Sequence, residues 1–355
     1  MPEDQRTARV PQPAPLVEVR RGSIVESRHR GHVAAVDGVG RLVAFLGETE
    51  AVTYLRSSAK PHQAIPLVAS GAADRFGFGE HEIAIACGSH SGQSVHVETV
   101  ARMLGKIGLG PDALKCGIHA PFDAETARRL RERGERPDIL QNNCSGKHTG
   151  MLALALHLGA PPDTYDQPGR PVHEAILGTV SQFSDVPAED VALGTDGCGV
   201  PVFGLPIRAM ALMYARLVSP PPGFDEVTRD AAARVVAAMG RHPEMVGGTV
   251  ERFDTEVMRA TGGRVISKVG AEGVYTAGVL PCDEWPQGLG LAFKVEDGED
   301  RRARPTVAIE SLRQLGVLNS DALAALMPYA SFPIRNHRGD FVGEISPSFE
   351  LQRPG

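Results

Sequence analysis

The chain has 355 residues, 42% hydrophobic and 23% charged, enough apolar material for an ample core. Its net charge of −6, with no basic stripe, argues against a nucleic-acid partner and suits an enzyme of small molecules in the cytoplasm. No run approaches the roughly 18 consecutive apolar residues of a membrane span, and five scattered cysteines make no disulfide framework.

The opening stretch, MPEDQRTARVPQPAP, lacks an apolar segment after its charged start, so it reads as no secretory leader. A disordered tail over residues 1–14 is expected, and a single domain over 15–355. Residues 16–55 hold runs rich in Val and Ile, with Asp37-Gly38 as a hairpin turn, and predict β structure. HQAIPLVASGAADRF is periodic and helical; HEIAIACGSHSG is a short buried strand or helix that ends in a glycine- and serine-rich loop. Helices follow in VHVETVARMLGKIGL, from Asp123 onward, and in the apolar MLALALHLGA. From 165 to 260 helix dominates, broken by a loop at LGTDGCGVPVFGLP. VISKVGAEGVYTAGVLP and LGLAFKVEDG return to β, and RPTVAIESLRQLG is helical. Strands at both ends and helices between them predict an α/β (α+β) fold, one antiparallel sheet with packed helices.

Ser57-Ser58-Ala59-Lys60 fits S-x-x-K. If the serine opens a helix, the lysine lies one turn later on the same face. A serine hydroxyl needs a base, and lysine serves only with a neutral amine; burial or a second cation lowers its pKa. The motif alone reads more readily as a helix N-cap before an exposed lysine, and Pro61 disfavours helical geometry at Lys60. S-x-x-K is the nucleophile motif of penicillin-recognising enzymes, but their S-D-N is missing and Lys268-Val269-Gly270 is the nearest match to K-T-G. A lactam enzyme is therefore disfavoured, while the idea of a second lysine delivered by a strand survives.

RSSAKPHQ at 56–63, ACGSHSGQ at 86–93, NNCSGKHTGM at 142–151, TDGCGVPVFGLP at 195–206 and SKVGAEGVY at 267–275 together resemble the asparaginase II family of the rhizobial type. The resemblance runs from about residue 16 to 350. It implies a fold similar to serine β-lactamases and one class of glutaminases, a single catalytic domain, a homodimer, and hydrolysis of L-asparagine. It matches Ser57 to the nucleophile and Lys60 to its base, and makes Ser89 and Lys268 a second serine–lysine pair. It also implies zinc held by Cys144, Lys147 and Cys198, a set that spacing alone does not suggest; by themselves both cysteines read as buried small hydrophobes. Cys87, Cys116 and Cys282 keep that plain reading.

Asparagine carries an ammonium, a carboxylate and an amide, so its site needs an anion, a cation and a nucleophile with an oxyanion hole. Asp196 is a candidate for the ammonium, Arg56 for the carboxylate, and Asp254 a second candidate for the ammonium. Arg56 reads equally as half of a surface ion pair. His62, His90, His119 and His148 lie in or near the motifs and are read as hydrogen-bonding supports. Two alternatives stay open: another Ser–Lys amidohydrolase, such as a glutaminase, and a non-catalytic amino-acid-binding protein. A metal-dependent hydrolase lacks H-E-x-x-H or a comparable histidine cluster.

Overall fold

The computed structural model describes residues 12–355. Residues 1–11 of the expected tail lie outside them, and Ala14, at that tail's predicted end, already opens a strand. The Val-rich segment that follows forms β1 (Ala14–Arg21) and β2 (Ile24–Asp37). They are joined through Gly22, whose φ of 56° is a left-handed value that glycine takes without strain. Asp37 shapes the next turn by accepting the backbone N–H groups of Val39 and Arg41 at 3.2 and 2.9 Å, and β3 (Leu42–Leu46) returns along β2.

Three short strands stand apart: β4 (Val52–Tyr54), β5 (Ala192–Thr195) and β6 (Pro201–Pro206), in the order β4-β6-β5. The loop expected at LGTDGCGVPVFGLP is thus a β-hairpin. Its glycine content reads as loop, yet only the tip is a turn: Gly199, at φ 88°, donates to Asp196 O at 2.9 Å, and Asp196 N–H donates to Val200 O at 2.9 Å. The flanking residues are ordinary ladder partners.

The main sheet gains β7 (Val265–Val269), β8 (Val274–Val279), β9 (Leu289–Val295), β10 (Phe332–Arg335) and β11 (Phe341–Pro347). Its order is β10-β11-β1-β2-β9-β8-β7, with β3 beside β2 and every pair antiparallel. Register sorts the side chains between two cores. Val33, Phe293 and Tyr275 align across three strands on one face; Ala34, Ala292 and Thr276 align on the other. The first row joins a core with Val307 and Leu312 of the helix Arg304–Gln314 and Leu326 of the helix Ser320–Ala330. The second face packs on the central helices, Ile207–Val218 closest of all. That approach depends on a cross-strand glycine pair, Gly278 opposite Gly290: a Cβ on Gly290 would lie 1.8 Å from Ala211 O. The architecture is the expected mixture of helices and one large antiparallel sheet. No helix among the described residues is long and apolar enough to cross a membrane.

Candidate active site

Ser57 sits in a short 3-10 turn, Arg56–Ala59, that runs directly into the helix Lys60–Ala69. Pro61 falls in the helix's first turn, where its missing N–H costs nothing. The proline that obscures the motif in sequence is therefore a helix opener. Arg56 has φ 52°, strained for a residue with a side chain, immediately before the serine. Lys60 is only 1% exposed, which removes the reading of an exposed lysine after an N-cap. Its Nζ donates to Gly88 O at 2.6 Å, Ser89 Oγ at 3.0 Å and Asn143 O at 3.3 Å. Ser57, Ser89 and Asn143 share a cavity of about 540 Å³.

Ser89 follows the helix Glu80–Ala86, the buried run whose sequence fits either element. Its N–H donates to Val246 O at 2.8 Å, and its carbonyl accepts Arg252 Nη2 at 2.7 Å. Lys268, delivered by β7, is fully buried and donates to Asp254 Oδ2 at 3.2 Å and to Val269 O at 2.9 Å. The hydrogen bonds therefore join Ser89 to Lys60, and Lys268 to Asp254, where the resemblance pairs Ser89 with Lys268. Burial pulls the Lys268 amine down to about 8; Asp254 opposes that, and the Lys60 charge adds to it.

Arg56 and Asp196, expected at opposite ends of a substrate, bind each other, Nε to Oδ1 at 2.8 Å. Burial raises the Asp196 pKa, but Lys147 and Arg56 outweigh it and hold the carboxyl below its ordinary value. Asp254 does line the cavity, yet its oxygens are taken by Ser267 Oγ at 2.8 Å, the Val269 N–H at 2.9 Å and Lys268. Of the four histidines, His62 and His148 are pulled down to about 4 by burial, as neutral supports would be. His90 lies well below its ordinary value for the same reason, and His119 hydrogen-bonds Asn143.

Cys144, at the start of the helix Ser145–His157, meets Lys147 of its first turn and Cys198 of the β5–β6 tip. Lys147 Nζ donates to Cys198 Sγ at 3.0 Å. A hydrogen bond from Cys198 and the nearby Lys60 and Lys147 charges hold the Cys144 thiol well below its ordinary value in spite of burial. His148 is buried beside Cys198. Two sulfurs and an amine, with Lys147 Nζ 3.0 Å from Cys198 Sγ, are a donor set that fits zinc once the amine, whose pKa the two cysteines raise against burial, gives up its proton. Cys87 and Cys116 are buried thiols raised to about 12, while Cys282 is half-buried.

The L-asparaginase II family model matches residues 17–347, nearly all of the described chain. The chain belongs to the L-asparaginase II family. It is thereby an amidohydrolase, and the match lies inside the domain expected over 15–355. None of the curated proteins compared with it matches in sequence. Among solved structures it is similar to a probable glutaminase from Bacillus subtilis complexed with 6-diazo-5-oxo-L-norleucine, at 14% identity and TM-score 0.36, over 81% of this chain and 85% of that one. A β-lactamase from Burkholderia ambifaria is similar at 14% identity and TM-score 0.36, over 84% and 92%. These are loose likenesses, and membership in the asparaginase II family rests on the sequence match.

Within this family member the cavity is also lined by three arginines that sequence reasoning passes over, Arg252, Arg301 and Arg304. Arg252 reaches Ser91 Oγ at 3.0 Å as well as Ser89 O, and lies over the Phe122 ring at 5.3 Å. Arg304 donates to Gly270 O at 2.7 Å and to the Asp300 carboxylate, while its Nε is buried without a partner among the described residues. Arg252 stands two residues before Asp254 in the ERFDT stretch, so a wider reading of that motif finds it. Arg304, in a run of arginines ahead of a helix, carries no local signal.

Proposed function

We propose that this amidohydrolase releases ammonia from L-asparagine, with Ser57 as nucleophile. The observation that carries the reading is the buried Lys60 amine one turn after Ser57, hydrogen-bonded to Ser89 where both serines line one cavity. Ser57 Oγ attacks the side-chain amide carbon, and Lys60 takes the hydroxyl proton, directly or through Ser89. N–H groups of the turn that carries Ser57 are the proposed oxyanion hole, each worth about 3 kcal/mol. The amide nitrogen leaves as ammonia after protonation, and water hydrolyses the β-aspartyl ester. Lys268, pulled down to about 8, accepts and returns protons near neutral pH. Arg304, with its unpartnered Nε, is the proposed partner of the substrate's α-carboxylate. Asp196 and Arg56, locked to each other, support the Ser57 turn and the zinc loop. Asp254 serves Lys268.

Cys144, Lys147 and Cys198 are the proposed zinc ligands; bound there, the ion would supply positive charge beside the Asn143 carbonyl that accepts from Lys60. A homodimer is likewise proposed, supported by the outward face of the small sheet, where Val52, Tyr54 and Ala192 are exposed.

Purified protein tests the reading through ammonia release from L-asparagine and L-glutamine, beside Ser57→Ala. Release from asparagine that Ser57→Ala abolishes is the expected result. Retention of most of the rate in Ser57→Ala ends the assignment of the nucleophile. Faster release from glutamine keeps the mechanism and changes the substrate, a difference of one methylene worth about 1–3 kcal/mol. Binding of asparagine without turnover would instead make the chain a binding protein.

A further inference from the structure

Apart from the residues above, the first turn of the Glu80–Ala86 helix and the segment 242–244 bring His81, His242 and Glu244 together. One ligand atom from each lies within 4.8 Å of the others. His242 Nδ1 stands 3.6 Å from Glu244 Oε1, close to the about 3.4 Å that separates two ligands of a tetrahedral zinc with bonds near 2.1 Å. The His81 and His242 rings are 3.8 Å apart at an interplanar angle of 30°. Glu80 Oε2 takes the opposite nitrogen of His242, Nε2, at 3.3 Å, and Arg241 holds the other Glu80 oxygen at 2.5 Å. A carboxylate on the far nitrogen is the usual support of a metal-binding histidine, and it leaves Nδ1 facing Glu244. Ion pairing accounts for His242, while His81 stacks on the His242 ring and has no ion pair of its own among the described residues.

We propose that His81, His242 and Glu244 form a second metal site, separate from the cysteine–lysine set and open to solvent. Two imidazoles and a carboxylate suit zinc or another late first-row divalent ion, with water in the remaining position. The site has a mechanical consequence. His81 leads through its helix to Gly88 and Ser89, and Glu244 leads through Met245 to Val246, whose carbonyl receives the Ser89 N–H. A bound ion therefore staples together the two segments that seat Ser89.

Co²⁺ titration followed by absorption tests this, because thiolate-bound cobalt shows sulfur-to-metal charge transfer and a histidine–carboxylate site shows ligand-field bands alone. The expected result is an equivalent of Co²⁺ without charge transfer, lost in His81→Ala and weakened at least about tenfold in Glu244→Gln. The charge-transfer bands of the cysteine site are unchanged in both variants. His81 is exposed and Glu244→Gln conserves shape, so neither variant should unfold, which circular dichroism checks. If the wild type binds no such equivalent, or both variants bind it at full affinity, the assignment is overturned.

Discussion

A buried lysine beside a buried aspartate sets two opposing demands on one proton. Lys268 sits below its ordinary value of 10.5, at about 8, because burial outweighs the Asp254 carboxylate. Between about pH 8 and 10.5 the unfolded chain holds a proton that the native chain lacks, so stability rises with pH across that window. Lys268→Met should flatten this rise, read as unfolding midpoints at successive pH values. Asp254 favours the charged amine, so Asp254→Asn lowers the Lys268 pKa further. If a neutral Lys268 is the working form, the acid limb of kcat/KM lies near pH 8 in the wild type and shifts to lower pH in Asp254→Asn. A limb that stays in place would remove Lys268 from the proton relay. Arg304→Gln should raise KM for asparagine roughly 10–100-fold with a smaller change in kcat, the loss of one charge-assisted hydrogen bond. Ser57, Lys60, Ser89 and Lys268 were legible as residues. Their pairing was not, because the hydrogen-bond partners lie 14 to 83 residues apart in the chain.

Elements follow from local pattern wherever the pattern is clean. β7, β8 and β9 were legible as apolar runs with turns between them, and the helix Lys60–Ala69 as a periodic segment behind Pro61. The β5–β6 hairpin was hidden by its glycines, and the choice between strand and helix at Glu80–Ala86 could not be made from seven residues without their neighbours. The glycine pair Gly278–Gly290 shows what local pattern omits: each reads as a weak spot in a strand, yet together they seat the helix Ile207–Val218. Gly290→Ala should destabilise the fold by about 3 kcal/mol or prevent folding, since its methyl meets backbone rather than a movable side chain. Urea unfolding measures the effect, and Gly105→Ala, in a helix with open space around it, is the control, expected to stabilise by up to about 1 kcal/mol.

At the scale of the whole molecule, two cores on opposite faces of one sheet bind the chain's two ends to its middle. The proposed homodimer makes a definite prediction here. Tyr54→Arg, on the exposed face of the small sheet, should halve the mass measured by sedimentation without lowering the melting temperature of the protomer. The proposed zinc predicts that a chelator lowers the melting temperature of the wild type and leaves Cys144→Ser/Cys198→Ser unaffected.

The sequence by itself determined the family, through five ordered motifs, and the α+β outline, through periodicities that need only neighbouring residues. The tertiary structure hydrogen-bonded Lys60 to Ser89 and Lys268 to Asp254, joined Arg56 and Asp196 in an ion pair, and brought Arg304 to the cavity. The reason is physical: periodicity and turn chemistry act over a few residues, whereas burial and charge pairing depend on which distant segments the sheet brings into contact.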